Sequence, residues 1–188
     1  MHKGHYLYSA AQVRELDRIV IEKFGISGYE LMQRAGDFAY TVLCSKFITE
    51  SRNLFVFCGR GNNAGDGYVL AKLAIESESH DKVIVINCFN PEKLEGDAKT
   101  AYQDLVITKY DKNNLEIFDH SVLRENKFRG YDYSDSVCVD AIFGTGLTRD
   151  INDKNLVLAI KFINTYKTWP YKGEDIRKRG VLSIDIPT

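Results

Sequence analysis

The feature that most constrains the fold is the alternation, after residue 52, of short continuous apolar runs with longer amphipathic segments. The apolar runs predict strands at Leu54 to Phe57, Val83 to Cys88, Leu115 to Phe118, Ser136 to Phe143 and Val181 to Ile186. The amphipathic segments predict helices near Tyr68 to Glu78, Gly96 to Thr108 and Asn152 to Thr165. Strands that are apolar throughout and alternate with helices are typical of a parallel sheet covered on both faces. The pattern therefore predicts a doubly wound α/β domain.

Two more helices are predicted ahead of the first strand. Ser9 followed by Gln12 forms a capping box, and the apolar face that follows ends at Gly25, a residue typical of helix ends. That face consists of Val13, Leu16, Ile19 and Val20. The second helix is predicted from about Tyr29 to Phe47, with a buried face of Leu31, Met32, Ala35, Phe38, Ala39, Val42 and Leu43. Both patterns indicate ordinary packing helices.

Length and composition favour a single domain that binds a small molecule. The 188 residues include 44% hydrophobic ones, which is ordinary for a globular protein with a real core. Because 25 Lys and Arg balance 26 Asp and Glu, the net charge of −1 gives no electrostatic argument for nucleic acid or an anionic membrane. The apolar runs are shorter than the ~20 residues of a membrane helix, and the amino terminus lacks a signal core, so we expect a cytoplasmic protein.

The four cysteines predict a reduced interior. Cys44, Cys58, Cys88 and Cys138 are widely separated, and none forms a CxxC pair. Three of them lie in or beside predicted strands, where a thiol behaves as a small apolar group. Cys58 adjoins a glycine-rich loop, but the sequence shows no neighbouring base that would make it a nucleophile.

The glycine-rich stretch CGRGNNAGDG, from Cys58 to Gly67, lies between a predicted strand and a predicted helix. It is not a P-loop, because no lysine follows its last glycine. Gly59, Gly61 and Ala64 do satisfy the dinucleotide pattern GxGxxG/A. However, Asn87 stands at the end of the next strand, where a ribose-binding Asp or Glu is expected, which disfavours an ordinary Rossmann cofactor site. A purely structural turn remains an alternative for this pattern taken alone.

Polar residues follow three of the predicted strands, at the edge where open parallel sheets bind ligands. Asn62 to Asp66 follow the first strand. Asp140 interrupts an apolar run that leads into the loop Gly144 to Arg149, and Asp185 stands between two isoleucines. One such aspartate alone is more often a carboxylate that accepts backbone N–H bonds. Two of them beside two glycine loops indicate a site, because buried carboxylates need a partner.

The donor atoms at this edge favour a monovalent cation and a phosphate. Asn63, Asp140 and Thr188 offer an amide oxygen, a carboxylate and a hydroxyl, which are hard donors with little charge. A transition metal is disfavoured, and neutral oxygens readily replace the hydration shell of a monovalent ion. The loop Gly144 to Arg149 adds backbone N–H groups and one guanidinium, which suit a phosphate.

Four segments together resemble the NAD(P)H-hydrate epimerase family. They are SAAQVRELDRIVIEKFGISGYELMQRAG, GRGNNAGDG, VDAIFGTGLTRD and SIDIPT. The resemblance implies a three-layer αβα Rossmann-like sandwich, usually a homodimer, that interconverts the R and S forms of hydrated NADH and NADPH (NADHX and NADPHX). It implies that one potassium ion per subunit is held by Asn63, Asp140 and Thr188. It implies that the substrate is bound by Asn62, Asn63, Ala64, Gly65, Asp66, Gly144, Thr145, Gly146, Leu147, Thr148, Arg149, Asp150 and Asp185.

The chain departs from the family pattern in four places. Ala64 replaces a glycine, Gln33 replaces a glutamate, and Thr188 replaces a serine while keeping its hydroxyl. The chain ends at Thr188, where the family continues. We therefore expect one domain, residues 1–188, shortened at its carboxyl end, with a fused or partner dehydratase domain.

Asp140 is the expected acid/base catalyst, because burial lifts the pKa of a carboxyl group towards neutrality. Asp66 or Asp185 could share that role. An alternative function is a non-catalytic module on the same fold that binds a nucleotide, an RNA end or a partner protein. A third, an NAD-dependent dehydrogenase, is disfavoured by Asn87.

Overall fold

The computed structural model describes residues 8–47, 53–111, 113–119, 121–125, 131, 136–144, 147, 150–168 and 180–185. Two helices come first, and strands and helices then alternate along the chain. In chain order the elements are α1 Ala10–Phe24, α2 Gly28–Lys46, β1 Asn53–Cys58, α3 Asn62–Glu76, β2 Lys82–Asn87, a 3₁₀ turn Pro91–Lys93, α4 Gly96–Asp111, β3 Leu115–Asp119, α5 Val122–Glu125, β4 Ser136–Ala141, α6 Lys154–Thr168 and β5 Gly180–Ser183.

The five strands form one sheet in the order β3-β2-β1-β4-β5, and all the pairings are parallel. The chain moves from β1 outwards through β2 and β3, and then crosses back to place β4 on the other side of β1. The strand order therefore reverses between β1 and β4, which is the point where open α/β sheets bind ligands. Phe57 pairs with Asp140, and Asp140 pairs with Ser183, so the ends of β1, β4 and β5 meet at one edge.

Helices cover both faces of the sheet, which confirms the predicted αβα sandwich. Val56 and Val85 face one core, which also contains residues of α2, α3 and α4. Phe55 and Phe57 face the other core, where the ring of Phe57 lies 5.3 Å from that of Phe162 in α6. Because successive strand side chains point to opposite faces, strands buried on both sides must be apolar throughout, as the sequence is.

Close approach fixes the position of α3 between its neighbours. A Cβ atom at Gly65 would lie 2.4 Å from the sulfur of Met32 in α2, and one at Gly67 would lie 2.7 Å from Cβ of Ala141 in β4. Glycine at these two positions lets α3 contact α2 and the sheet at the same time. The amino end of α3 is therefore held firmly at the edge where β1 and β4 end.

The burial predicted for α2 was wrong at two positions, and the predicted packing face of α1 is only partly covered. The capping box of Ser9 and Gln12 is present, but no α1 residue is buried, and Val13 and Leu16 are 45% and 46% exposed. In α2, Ala35 is also exposed and Phe38 is 70% exposed. Periodicity reveals an apolar stripe but not whether the rest of the molecule covers it, and α1 packs beside α2 rather than on the sheet.

The element boundaries differ from the predictions at the ends. Helix α3 begins at Asn62, six residues before the predicted Tyr68, because Asn and Gly in its first turn resemble a loop in sequence. The short helix α5 was not predicted. Strand β4 ends at Ala141, two residues early, and β5 ends at Ser183, while the predicted end at Ile186 lies outside the described residues.

The cysteines are core residues, as predicted. Cys58, Cys88 and Cys138 are buried, Cys44 is half-buried, and all four are free thiols. Burial raises the pKa of Cys58 and of Cys138 well above the usual value for a thiol, so neither is a nucleophile at neutral pH. None of the described helices has the length and apolar character needed to cross a membrane.

Candidate functional site

The amino end of α3 presents backbone N–H groups at the switch point of the sheet. Gly61 is the N-cap residue, and its carbonyl accepts from the N–H groups of Ala64 and Gly65 at 3.0 and 3.2 Å. No side chain caps this helix end. Uncapped N–H groups and the helix dipole favour an anion here, so the first turn of α3 suits a phosphate or a carboxylate.

Asn63 carries the most informative atom of the site. Its side chain is 9% exposed, and its Nδ2 donates to the carbonyl oxygen of Phe143 at 2.6 Å, which fixes the orientation of the amide. The Oδ1 atom is buried and accepts no hydrogen bond from the described part of the chain. A buried acceptor in this state costs about 1–3 kcal/mol. The geometry therefore points to a donor or a cation that satisfies this oxygen.

Asp140 is the last but one residue of β4, and only 1% of it is exposed. Its Oδ1 accepts from the N–H of Ile142 at 3.2 Å, and its Oδ2 accepts from the hydroxyl of Ser183 at 3.4 Å. The backbone oxygen of Asp140 accepts from the N–H of Ile184 at 3.1 Å. This buried carboxylate thus connects the end of β4 to the residues that lead to Asp185.

Gly144 brings the loop after β4 together with the other two strand ends. A Cβ atom on Gly144 would lie 2.5 Å from Oδ2 of Asp185 and 3.6 Å from Cβ of Asn63. Asn63 from α3 and Asp185 from the segment after β5 therefore meet at this glycine. Any larger residue would push the Asp185 carboxylate away.

Asp66, one turn into α3, is the carboxyl group best matched to neutral pH. Burial raises its pKa to about 7, helped by the negative charges of Asp185 and of Asp17 in α1. Asp66 is half-buried rather than fully enclosed, so it can be reached from outside. Helix α1 therefore contributes charge to the site through the exposed Asp17.

The remaining predicted site residues divide into three groups. Ala64 and Gly65 are buried between helices, so only their backbone atoms can face a ligand. Asn62, Leu147 and Asp150 are exposed. Thr145, Gly146, Thr148, Arg149 and Thr188 lie outside the described residues.

The end of β2 contains an interaction that the sequence reasoning missed. Asn87 is 2% exposed, and its Oδ1 accepts from the hydroxyl of Tyr68 at 2.8 Å. An ordinary Rossmann site has a ribose-binding acid at this position, whereas here Asn87 forms a hydrogen bond inside the protein. Tyr68 looked like one more core residue of α3, and its pairing with Asn87 could not be read from spacing.

The donor set fits potassium better than a transition metal. Among the described residues, no group of three or more His, Cys, Asp or Glu side chains could hold a metal ion. What the edge offers instead is the Oδ1 of Asn63, which has no hydrogen-bond partner among the described residues, near the carboxylate-bearing ends of β4 and β5. Hard oxygens of low total charge suit a weakly charged cation.

Comparison with known proteins decides the family. The model of the family described as YjeF-related protein N-terminus matches residues 28–188. The chain belongs to this family. A protein of Roseobacter litoralis named NAD(P)H-hydrate epimerase is 30% identical to this YjeF-related chain over 190 residues, which cover 97% of the chain and 78% of that protein. One of the same name from Pirellula staleyi is 30% identical over 183 residues, which cover 97% and 71%. The resemblance to the epimerase family is thereby confirmed.

Longer relatives contain the YjeF-related segment as a part. The bifunctional NAD(P)H-hydrate repair enzyme Nnr of Coxiella burnetii is 35% identical over 186 residues, which are 97% of this chain and 32% of that protein. The chain therefore spans about a third of its length. In structure, the chain matches the crystal structure of yeast ynu0, YNL200c, with a TM-score of 0.74 at 20% identity, covering 98% of this chain and 71% of the yeast chain. At that identity the match supports the fold, which is Rossmann-like.

Two neighbouring glycines provide a test of the close approach between β1 and β4. A Cβ atom on Gly59 would lie 2.0 Å from the backbone oxygen of Ile142, whereas one on Gly61 would meet nothing within 4 Å. Gly59→Ala should therefore lower the free energy of unfolding by about 2–3 kcal/mol, because backbone must move. Gly61→Ala, the matched control, should cost about 1 kcal/mol or less, the effect of a poorer N-cap. Urea unfolding measures both, and equal losses would contradict the tight contact.

Proposed function

We propose that this chain catalyses epimerisation of the R and S forms of NADHX and NADPHX. The observation that carries the proposal is the meeting of Asn63 and Asp185 at Gly144, directly beyond the strand that holds Asp140. Relatives named NAD(P)H-hydrate epimerase support the substrate class. This combination of amide and carboxylate oxygens at the sheet switch point suits a polar, anionic dinucleotide.

The reaction needs proton transfer and no redox partner. The hydrate carries a hydroxyl group on a ring carbon next to nitrogen. The nitrogen lone pair expels the hydroxyl, which takes a proton as it leaves as water, and a C=N bond forms. Water then adds to the opposite face of that carbon and loses a proton to the protein. Atoms and charge balance, because one group donates a proton and later accepts one.

Asp140 and Asp66 are the proposed proton carriers. Asp140 lies at the end of β4, four residues before the loop that begins at Gly144, and the orientation of its carboxylate is fixed by Ile142 and Ser183. Asp66 is more accessible than Asp140. Because its pKa is about 7, the acid and the carboxylate forms of Asp66 are both present at neutral pH. We assign to Asp66 the donation of a proton to the leaving hydroxyl group and the acceptance of a proton from the returning water. We assign to Asp140 the orientation of the reacting groups and a share in the proton transfer.

Potassium is the proposed ion, held by Asn63, Asp140 and Thr188. When bound, it would supply positive charge that offsets the carboxylates and would satisfy the Oδ1 atom of Asn63. The phosphates are assigned to the first turn of α3 and to the loop from Gly144 to Asp150. We also propose that the chain forms a cytoplasmic homodimer. We propose in addition that it works with a fused or separate dehydratase, and the relatives whose names include the word bifunctional support a second activity of this kind.

Direct assay of epimerisation tests the function. Wild-type protein incubated with purified S-hydrate should form R-hydrate, followed by chromatography that separates the two forms. Asp140→Asn should lower kcat/KM by about 10²–10⁴, because proton transfer and its orientation are lost. The free energy of unfolding should show that the variant is folded.

Asp81→Asn is the matched control, because Asp81 is exposed just before β2, at the opposite end of the sheet. It should retain wild-type activity. Binding of the hydrate without any turnover by the wild-type protein would refute the enzyme and support the non-catalytic binding module instead.

The raised pKa of Asp66 predicts a particular pH profile. Because the protonated acid must meet the substrate hydroxyl, kcat/KM should fall as the pH rises through about 7. Asp66→Asn should lower kcat/KM at pH 6 by about 10²-fold or more and remove this limb. A limb near 7 that persists in the variant would assign it to another group.

Asp66→Asn should lower activity but raise the stability of the folded protein above neutral pH. The carboxyl group ionises at its usual 3.8 in the unfolded chain and at about 7 in the folded one, so folding loses stability as the pH rises between these values. Asp66→Asn should therefore unfold at a higher temperature than the wild type at pH 8, measured without substrate.

A further inference from the structure

The ends of β1 and β2 form a second polar position beside the proposed substrate site. The N–H of Cys88 donates to the carbonyl oxygen of Cys58 at 2.8 Å, so the pairing of the two strands continues to the residue after Asn87, the last residue of β2. Arg60 and Phe89 each lie two residues beyond the end of their strand. Their side chains therefore emerge next to each other at the ligand-binding edge.

Arg60 lies on the ring of Phe89. The guanidinium carbon is 5.3 Å from the ring centroid, within the range of a cation–π contact. Arg60 is exposed, and it takes part in none of the ion pairs found among the described residues. Arg18 and Arg34, by contrast, are paired with glutamates. The positive charge of Arg60 is thus oriented by an aromatic ring and not neutralised by a carboxylate of this part of the protein.

The end of β2 is the place where Rossmann-like folds recognise the adenosine ribose. An Asp or Glu there binds the 2′-hydroxyl group of a dinucleotide, whereas a nearby arginine accommodates a 2′-phosphate. In this chain the residue at that position is Asn87, whose side chain points inwards to Tyr68. The residue at the strand end itself is therefore not an acid that selects the hydroxyl form, and the guanidinium of Arg60 lies over the ring of Phe89, two residues further along.

We propose that Arg60, oriented by Phe89, binds the 2′-phosphate of NADPHX and makes the phosphorylated hydrate the preferred substrate. The inference rests on the proposed epimerase function and adds to it the choice between the two hydrates. In this arrangement the adenosine half lies over β2, and the hydrated nicotinamide ring lies over β4 and β5 near Asp140 and Asp185. A planar guanidinium can form two parallel hydrogen bonds with phosphate oxygens, which a neutral hydroxyl cannot match.

Kinetics with both hydrates test the assignment. The ratio of kcat/KM for NADPHX to that for NADHX should exceed one in the wild type and fall about tenfold or more in Arg60→Ala, since a charged hydrogen bond to phosphate is lost. Arg60→Lys should fall part of the way, because it keeps the charge but loses the planar fork. Phe89→Leu, which keeps Arg60 but removes the ring, should lower the ratio in the same direction. Arg34→Ala, which removes the same charge from α2, should leave it unchanged.

Binding of two small probes separates this inference from the proposed function. Adenosine 2′,5′-bisphosphate should bind the wild type more tightly than adenosine 5′-monophosphate, and Arg60→Ala should lose that preference in calorimetry. If neither hydrate is epimerised, the proposed function fails, and the probes still decide the role of Arg60. A wild type without preference for the bisphosphate, or an Arg60→Ala protein that retains the preference, would overturn the inference.

Discussion

The parallel pairing of β1 with both of its neighbours is the constraint on which the site depends. Because β2 and β4 run in the same direction on either side of β1, their carboxyl ends emerge at one edge. The close contact of Gly59 with the backbone of Ile142 keeps the two inner ends together. The first turn of α3 lies at the switch point, where the Asn63 side chain donates a hydrogen bond to the carbonyl oxygen of Phe143, after β4.

The site contains groups whose burial is unfavourable, and the stability of the rest of the fold offsets their cost. Three groups lie at this edge: the Asn63 amide oxygen, which accepts no hydrogen bond from the described residues, the buried carboxylate of Asp140, and the Asp66 carboxyl group, whose pKa is raised. The amide oxygen and the Asp66 carboxyl group destabilise the folded chain unless a ligand compensates, whereas the Asp140 carboxylate accepts hydrogen bonds from Ile142 and Ser183. The apolar cores on both faces of the sheet provide the stability that permits this. Local departures from the rules of folding mark the positions where chemistry is expected.

The sequence was sufficient for the sheet because strand and helix periodicity are local properties. It also located the edge, since an aspartate in an apolar run, such as Asp140, is conspicuous. The exposure of α1 depends on what the other helices cover, and no periodicity contains that information. The inward turn of Asn87 depends on Tyr68, which meets it only after α3 has folded back over β2. The sequence did not predict the start of α3, because Asn and Gly are poor helix formers in general. They are nevertheless tolerated at the first positions of a helix.

The proposed site places a monovalent cation between Asn63 and Asp140, beside the substrate. Crystals grown with thallium(I), a heavy substitute for potassium, test it directly by anomalous diffraction. If these residues hold the ion, an anomalous peak should lie in contact with Oδ1 of Asn63 and with a carboxylate oxygen of Asp140, and added potassium should remove the peak by competition. A map without a peak there, or a protein hydrogen-bond donor in contact with Oδ1 of Asn63, would contradict it.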